Sequence, residues 1–156
     1  MIIRRATLED AQALADFNRE MAKETENIEL LPEVIAAGVK AMIERPQMGF
    51  YLVAEDQGEL QASLMITTEW SDWRNGLLWW IQSVYVRPDY RRKGLYRLLY
   101  QQVKKLAETE TGVCGFRLYV EHDNHVAQKT YEALGMQQTA YKIYEELKPE
   151  TRYRKT

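Results

Sequence analysis

Two groups of residues in this chain have the types and spacing that chemistry needs. Arg91, Arg92 and Lys93 place three cations beside Gly94, Leu95 and Tyr96. The run follows an apolar stretch, Val84-Tyr85-Val86, and precedes apolar residues at helical spacing, so a strand should end and a helix begin there. A helix start offers N–H groups without acceptors and a positive dipole end, and three added cations make it a phosphate site. Taken alone, so short a stretch also suits a solvated basic turn. The second group is Asn124 and Tyr131. Seven residues is nearly two helical turns, so Asn124, Ala127 and Tyr131 share a face, and small Ala127 leaves room for a ligand between two polar groups. The same spacing fits a capping Asn above a core Tyr.

The elements that must position these groups follow from periodicity and punctuation. Residues 2–5 predict a short strand. Thr7, with Asp10 three residues on, predicts a helix start, with Leu8, Ala11, Leu14, Ala15 and Phe17 as the apolar stripe. Pro32 suits the first turn of a second helix that buries Ile35, Val39, Met42 and Ile43. Residues 50–55 and 60–68 predict strands around a turn at 56–59, and residues 77–86 predict a third. Leu95, Leu98, Leu99, Val103 and Leu106 mark the next helix, which should stop near Gly112. Residues 116–121 predict a strand, Asn124 starts a helix that ends at Leu134-Gly135, and residues 136–147 predict a closing strand. The order β-α-α-β-β-β-α-β-α-β describes a mixed α/β sheet flanked by helices. The strands at Val84 and Leu118, joined by a helical crossover, should run parallel.

Composition bounds the partners. The 156 residues suit one domain, 1–156, with no repeat or linker at which to divide it. Twenty-one Lys and Arg against 23 Asp and Glu leave a formal charge of −2, which argues against a nucleic-acid-binding protein. One cysteine, Cys114, allows no internal disulfide and reads as a quiet structural thiol, compatible with a reducing compartment. No apolar run is long enough for a membrane span, so a cytoplasmic enzyme is expected. His122 and His125 match no metal-ligand spacing, and no metal is expected.

The stretch Val84-Tyr85-Val86-Arg87-Pro88-Asp89-Tyr90-Arg91-Arg92-Lys93-Gly94-Leu95 resembles the acetyl-CoA signature of the GNAT superfamily of N-acetyltransferases. Arg91 and Gly94 match that signature. Tyr96 departs from it, standing where the family carries a small residue. The resemblance implies acetyl-CoA as co-substrate, bound by Val84, Tyr85, Val86, Arg91, Arg92, Lys93, Gly94, Leu95, Tyr96, Asn124, Ala127 and Tyr131. It further implies direct transfer from the thioester to an amine, with Tyr131 as the general acid for the leaving thiolate and Cys114 not needed as a nucleophile.

An amine of pKa about 10.4 must lose a proton at a cost of roughly 4–5 kcal/mol at neutral pH. Some family members place a Glu on the central strand where this chain has Trp80, and Gln82 on the same face is no base. Glu69, Asp72 and Glu24 are the remaining candidates for the base. Glu24, Trp70, Asp72, Trp80 and Gln82 are expected around the acceptor, a small and cationic amine drawn by the acidic residues between 19 and 31. A protein N-acetyltransferase and a catalytically silent acyl-CoA sensor are the alternatives. Trp79 and Trp80 must point to opposite strand faces. After Gly135 the chain is short for two full strands, so an edge is expected to stay open to a second subunit, as in a homodimer.

Overall fold

A computed structural model describes residues 1–156. Five strands, β1 (Ile2–Arg5), β2 (Gly49–Asp56), β3 (Glu59–Ser71), β4 (Gly76–Val86) and β5 (Val113–Arg117), form one sheet in chain order. The first four pair antiparallel, and β5 joins β4 in parallel. The parallel step requires a crossover, which helix α3 (Leu95–Thr109) supplies. Helices α1 (Ala11–Glu26) and α2 (Pro32–Glu44) precede β2, and α4 (His125–Ala133) follows β5.

Alternation along β2 divides the core in two. Leu52 and Ala54 face α3, where they pack with Leu64, Ile66, Trp79, Ile81, Leu95, Leu99 and Val103. Tyr51 and Val53 face Leu14, Phe17 and Val39 of α1 and α2 on the other side. Both faces are therefore covered, as a mixed sheet with helical crossovers requires. Trp79 is buried with α3, while Trp80 on the opposite face is half-buried.

The turn between β2 and β3 runs through Gln57 and Gly58, both at positive φ, the conformation a tight two-residue hairpin needs. The Thr7 N–H donates to Asp10 Oδ2 at 2.8 Å, so the expected cap exists, but it opens a single 3-10 turn before α1. Leu8 consequently lies outside the apolar stripe and is exposed, as is Leu98 on α3.

Two strand expectations need correction. The strand placed at 116–121 is centred earlier, at β5, because pairing with β4 ends at Trp80 and Arg117. Residues 136–147 form no strand: the only elements after β5 are α4 and an isolated bridge between Leu30 and Arg154. Cys114 is exposed on β5 instead of being enclosed. No helix is long and apolar enough to cross a membrane.

Gly49 opens β2 at φ +149°, and a Cβ there would stand 1.9 Å from the Ile66 carbonyl oxygen. Backbone strain and overlap each cost about 1–3 kcal/mol. Gly49→Ala is therefore expected to destabilise the fold by about 2–6 kcal/mol in thermal or urea unfolding. Gly58→Ala, also at positive φ but with open space around its Cβ, should cost only the strain, about half as much, and equal losses would disprove the steric account.

Candidate functional site

β4 carries one residue more than β3 can pair. Met65 faces Gln82 and Ser63 faces Tyr85, so three steps on β4 span two on β3. Ser83 sits in this bulge at φ +51°. An inserted residue reverses which side chains face which side of the sheet. Trp79 and Ile81 pack under α3, but Tyr85 crosses to the α1–α2 cluster, and Val84 and Val86 turn toward α3. Gln82 shares the face of Trp80, as expected, whereas Val84, beyond the bulge, turns to the other side.

Tyr85 then ties β4 to α1. Its ring lies 4.7 Å from Phe17 and its hydroxyl donates to Glu20. Burial, reinforced by the Glu20 carboxylate, pushes its pKa up to about 12. One turn further along α1, Glu24 accepts from Arg91 Nη2 at 2.7 Å, while Arg91 Nε donates to the Val86 carbonyl at 2.8 Å.

Beyond a short turn at Pro88–Tyr90, Arg92 and Gly94 adopt positive φ (63° and 78°) and Gly94 caps α3. From Arg92 to Arg97 no backbone N–H has a main-chain acceptor. Alternating left-handed residues at a helix start aim such groups at one point, a nest for an anion. Arg91, Arg92 and Lys93 adjoin it in the chain, with the Arg91 guanidinium turned to Glu24 and the Val86 carbonyl. Lys93 Nζ lies 5.3 Å from the Tyr90 ring centre. Nothing stands within 4 Å of a Cβ built on Gly94, so its approach side is open. These features fit a phosphate-bearing co-substrate.

β4 and β5 pair only from Leu77 to Trp80. Past that point β4 keeps its β3 partner but loses its neighbour on the other side, which leaves the strand edge at Val84, Tyr85 and Val86 free to pair with an amide-bearing chain. Tyr131 of α4 meets Tyr96 edge-on at 5.5 Å, and Tyr96 stacks on Tyr100 at 6.1 Å. The bulky residue at position 96 is thus accommodated by turning its ring onto α4. Its hydroxyl is buried without a partner. Burial raises the Tyr131 pKa, which keeps the phenol protonated and able to donate. Asn124 caps α4, its Oδ1 accepting from the Ala127 N–H at 3.2 Å.

The expected acceptor residues do not form one cluster. Trp80 Nε1 donates to Glu69 at 2.7 Å, and Arg117 Nη1 donates to both Glu69 oxygens at 3.0 and 3.2 Å. The indole N–H first, then Arg117, hold the Glu69 carboxyl below its usual range, which weakens it as a base. Gln82 donates to Thr67 on the same face. Asp72 lies at the β3–β4 turn and accepts from the Trp73 N–H. Trp70 and Trp73 are exposed, Trp73 by 87%, so neither is a core residue. Glu24 instead joins Asp16, Arg19, Glu20 and Lys23 along an open depression of about 490 Å³ on α1. Arg117, which the sequence reading did not single out, and Glu20, counted there only among the acidic residues between 19 and 31, each hydrogen-bond to a candidate-site residue. Arg117 had no signal beyond its place in a strand, and Glu20 lay three residues from Phe17, a spacing that puts both on one face of α1. No group of three or more His, Cys, Asp or Glu side chains could hold a metal ion.

Comparison with known proteins gives this geometry a context. The acetyltransferase (GNAT) family matches residues 11–136. A solved structure described as a possible acetyltransferase from Clostridium difficile 630 is 43% identical, covers 94% of this chain and 96% of its own, and superposes with a TM-score of 0.87. An aminoglycoside N(6')-acetyltransferase type 1 from Acinetobacter genomosp. 13 is 34% identical over 64 residues, 41% of this chain, and the match spans less than half of that relative, 43%. A structure of AAC(6')-Iy in complex with the bisubstrate analogue CoA-S-monomethyl-acetylneamine shares the fold at 13% identity, with a TM-score of 0.76 over 94% of this chain and 97% of its own.

Trp80→Phe deletes the largest single cause of the lowered Glu69 pKa, the indole N–H hydrogen bond. The Glu69 titration midpoint, followed by carboxyl NMR, should rise toward its ordinary value of 4.5 in this variant, and Arg117→Gln, which removes a hydrogen bond and a charge, should raise it as well. A midpoint unmoved by either substitution would overturn the assignment.

Proposed function

The chain belongs to the acetyltransferase (GNAT) family, and from that premise we propose that it transfers the acetyl group of acetyl-CoA to a primary amine of a small, cationic molecule. The carrying observation is the run of unpaired amides from Arg92 to Arg97 at the start of α3, flanked by three cations. Arg91, Arg92, Lys93, Gly94, Leu95 and Tyr96 would hold the diphosphate. The free β4 edge at Val84, Tyr85 and Val86 would hold the pantetheine amides, with Asn124, Ala127 and Tyr131 on the opposite wall.

In the reaction the amine nitrogen attacks the thioester carbonyl, a C–N bond forms and the C–S bond breaks. The departing thiolate takes the phenolic proton of Tyr131. Backbone N–H groups of the open β4 edge stabilise the charge on the carbonyl oxygen. The ammonium proton of the acceptor leaves through a carboxylate, directly or by way of water. Glu24, Asp72 and Glu69 are the candidates, and Trp80 and Arg117 lower the pKa of Glu69, which weakens it as a base. Cys114 has no part in this chemistry. A cytoplasmic setting accords with the lone cysteine, and a homodimer accords with the open outer edge of β5.

Tyr131→Phe should leave the CoA dissociation constant within about twofold and lower kcat about 10²-fold or more, the usual worth of a general acid. Because burial raises the Tyr131 pKa above 10.0, the wild-type rate should not fall on the alkaline side until above that pH. Equal losses in binding and rate would make Tyr131 structural.

The acceptor reading rests on carboxylates. Glu20 and Glu24 adjoin Tyr85 and Arg91 of the cofactor segment, while Glu69 holds the Trp80 indole N–H and Asp72 lies at the β3–β4 turn. Such a surface draws cations and can hold them against an indole face. Amines with a second positive charge should therefore outperform neutral-bodied amines of equal size, and added salt should raise their apparent KM. Glu24→Gln and Asp72→Asn should each narrow that preference. A panel in which neutral or acidic amines win without salt dependence refutes the cationic acceptor and leaves acetyl transfer intact.

A further inference from the structure

Tyr96 carries the one buried side-chain polar atom that has no hydrogen-bond partner in the protein. It is the second residue of α3, and its ring is held from two sides. Tyr100 stacks on it at 6.1 Å and is itself met edge-on by Phe116 of β5 at 5.9 Å, while Tyr131 of α4 meets it at 5.5 Å. This aromatic row, packed against the core under α3, fixes where the hydroxyl lies. Phenylalanine would fill the same space and avoid the cost of burying an unsatisfied hydroxyl, so packing alone does not account for a tyrosine here.

The ring it meets on α4 belongs to the proposed general acid. Among the tyrosines only Tyr85 and Tyr90 hydrogen-bond through their hydroxyls, so no protein group yet aims the Tyr131 proton. Burial first, then the charge that Tyr131 would carry, holds the Tyr96 pKa well above its ordinary value. Tyr96 therefore keeps a proton to donate at any assay pH. The influence of one phenol on the other falls with distance, which places the two hydroxyls on the same side of the ring contact. Bringing them together needs side-chain rotation and no backbone movement.

We infer that Tyr96 is a positioning residue for Tyr131: its hydroxyl donates to the Tyr131 oxygen, aims that phenol's proton at the thioester sulfur and stabilises the phenolate left behind. The inference rests on the reading of Tyr131 as general acid. The amine nitrogen forms the C–N bond, the C–S bond breaks and the sulfur takes the Tyr131 proton. Tyr96 keeps its own proton throughout. Of the two protons that the acceptor ammonium loses, one leaves through the carboxylate to solvent and the other returns through water to the Tyr131 oxygen. A small residue at position 96, as in the GNAT signature, has no hydroxyl to offer, so this support belongs to the present chain.

The test is a double-mutant cycle of Tyr96→Phe and Tyr131→Phe, with acetyl-CoA and 1,5-diaminopentane as substrates and thiol release as the signal. Phenylalanine keeps the ring and the amide of residue 96, so in Tyr96→Phe the acetyl-CoA dissociation constant should hold and the melting temperature should not fall. Its kcat should drop about tenfold, the usual worth of a hydrogen bond to a charged group. The double variant should be no slower than Tyr131→Phe alone. Independently of the acceptor, NMR of tyrosine Cζ in the acetyl-CoA complex should show Tyr131 titrating about one pH unit higher in Tyr96→Phe, because a donor to the phenolate lowers its pKa. An unchanged kcat or an unchanged Tyr131 midpoint in Tyr96→Phe overturns the inference and leaves the general acid intact. So does a loss confined to acetyl-CoA affinity, or a loss of rate that persists beside Tyr131→Phe. Full kcat in Tyr131→Phe removes the general acid itself, and this inference with it.

Discussion

The extra residue at Ser83 in β4 is the constraint on which the site depends. Side chains on a strand alternate strictly, so one insertion reverses every face beyond it. Without it Tyr85 would crowd Trp79 and Ile81 under α3, and Val84 and Val86 would face α1. With it, Tyr85 reaches Phe17 and Glu20, and the last turn of β4 is locked to α1. The strand's end is thereby held in place where its pairing with β5 has already ceased. A stiff, unpaired strand edge is what the proposed co-substrate needs to lie against.

From that anchor the phosphate site follows. Arg91, held by Glu24 and by the Val86 carbonyl, fixes the turn that delivers Arg92 and Gly94 into the left-handed region. Those two residues align the amides at the start of α3. The cations are the visible part of the site, but they lie on an exposed surface, where a single ion pair contributes at most about 1 kcal/mol. The directional part is the backbone, positioned by one serine and one glycine at positive φ and an arginine between them. Tyr96, large where the family is small, is tolerated because its ring lies against Tyr100 and Tyr131 and leaves the approach to Gly94 open.

On the opposite face of β4 the polar residues are mutually engaged. Glu69 is held by Trp80 and Arg117 from two neighbouring strands, which makes it a brace across the end of the β4–β5 pair before it is a base. Two tryptophans at the β3–β4 turn are left in solvent, and the C-terminal arm passes β5 without pairing. Apolar side chains at that turn and along the arm are thus left in water.

The sequence by itself determined the elements, because periodicity, caps and turn residues are local: α1 to α4, the Gln57-Gly58 turn and the parallel step across α3 are all legible in it. It also determined the chemical types at the phosphate site, since cations and Gly94 stand together in the chain. Only the tertiary structure decided the rest, and for a common reason. Whether a strand exists at 136–147 depends on a partner backbone that no local pattern specifies, and the arm found none within its own chain. The bulge at Ser83 is a mismatch between two strands, invisible in either alone. Glu69 owes its lowered pKa to Trp80 and Arg117, residues 11 and 48 positions away. Such distances are closed by packing, and no spacing in the sequence encodes them.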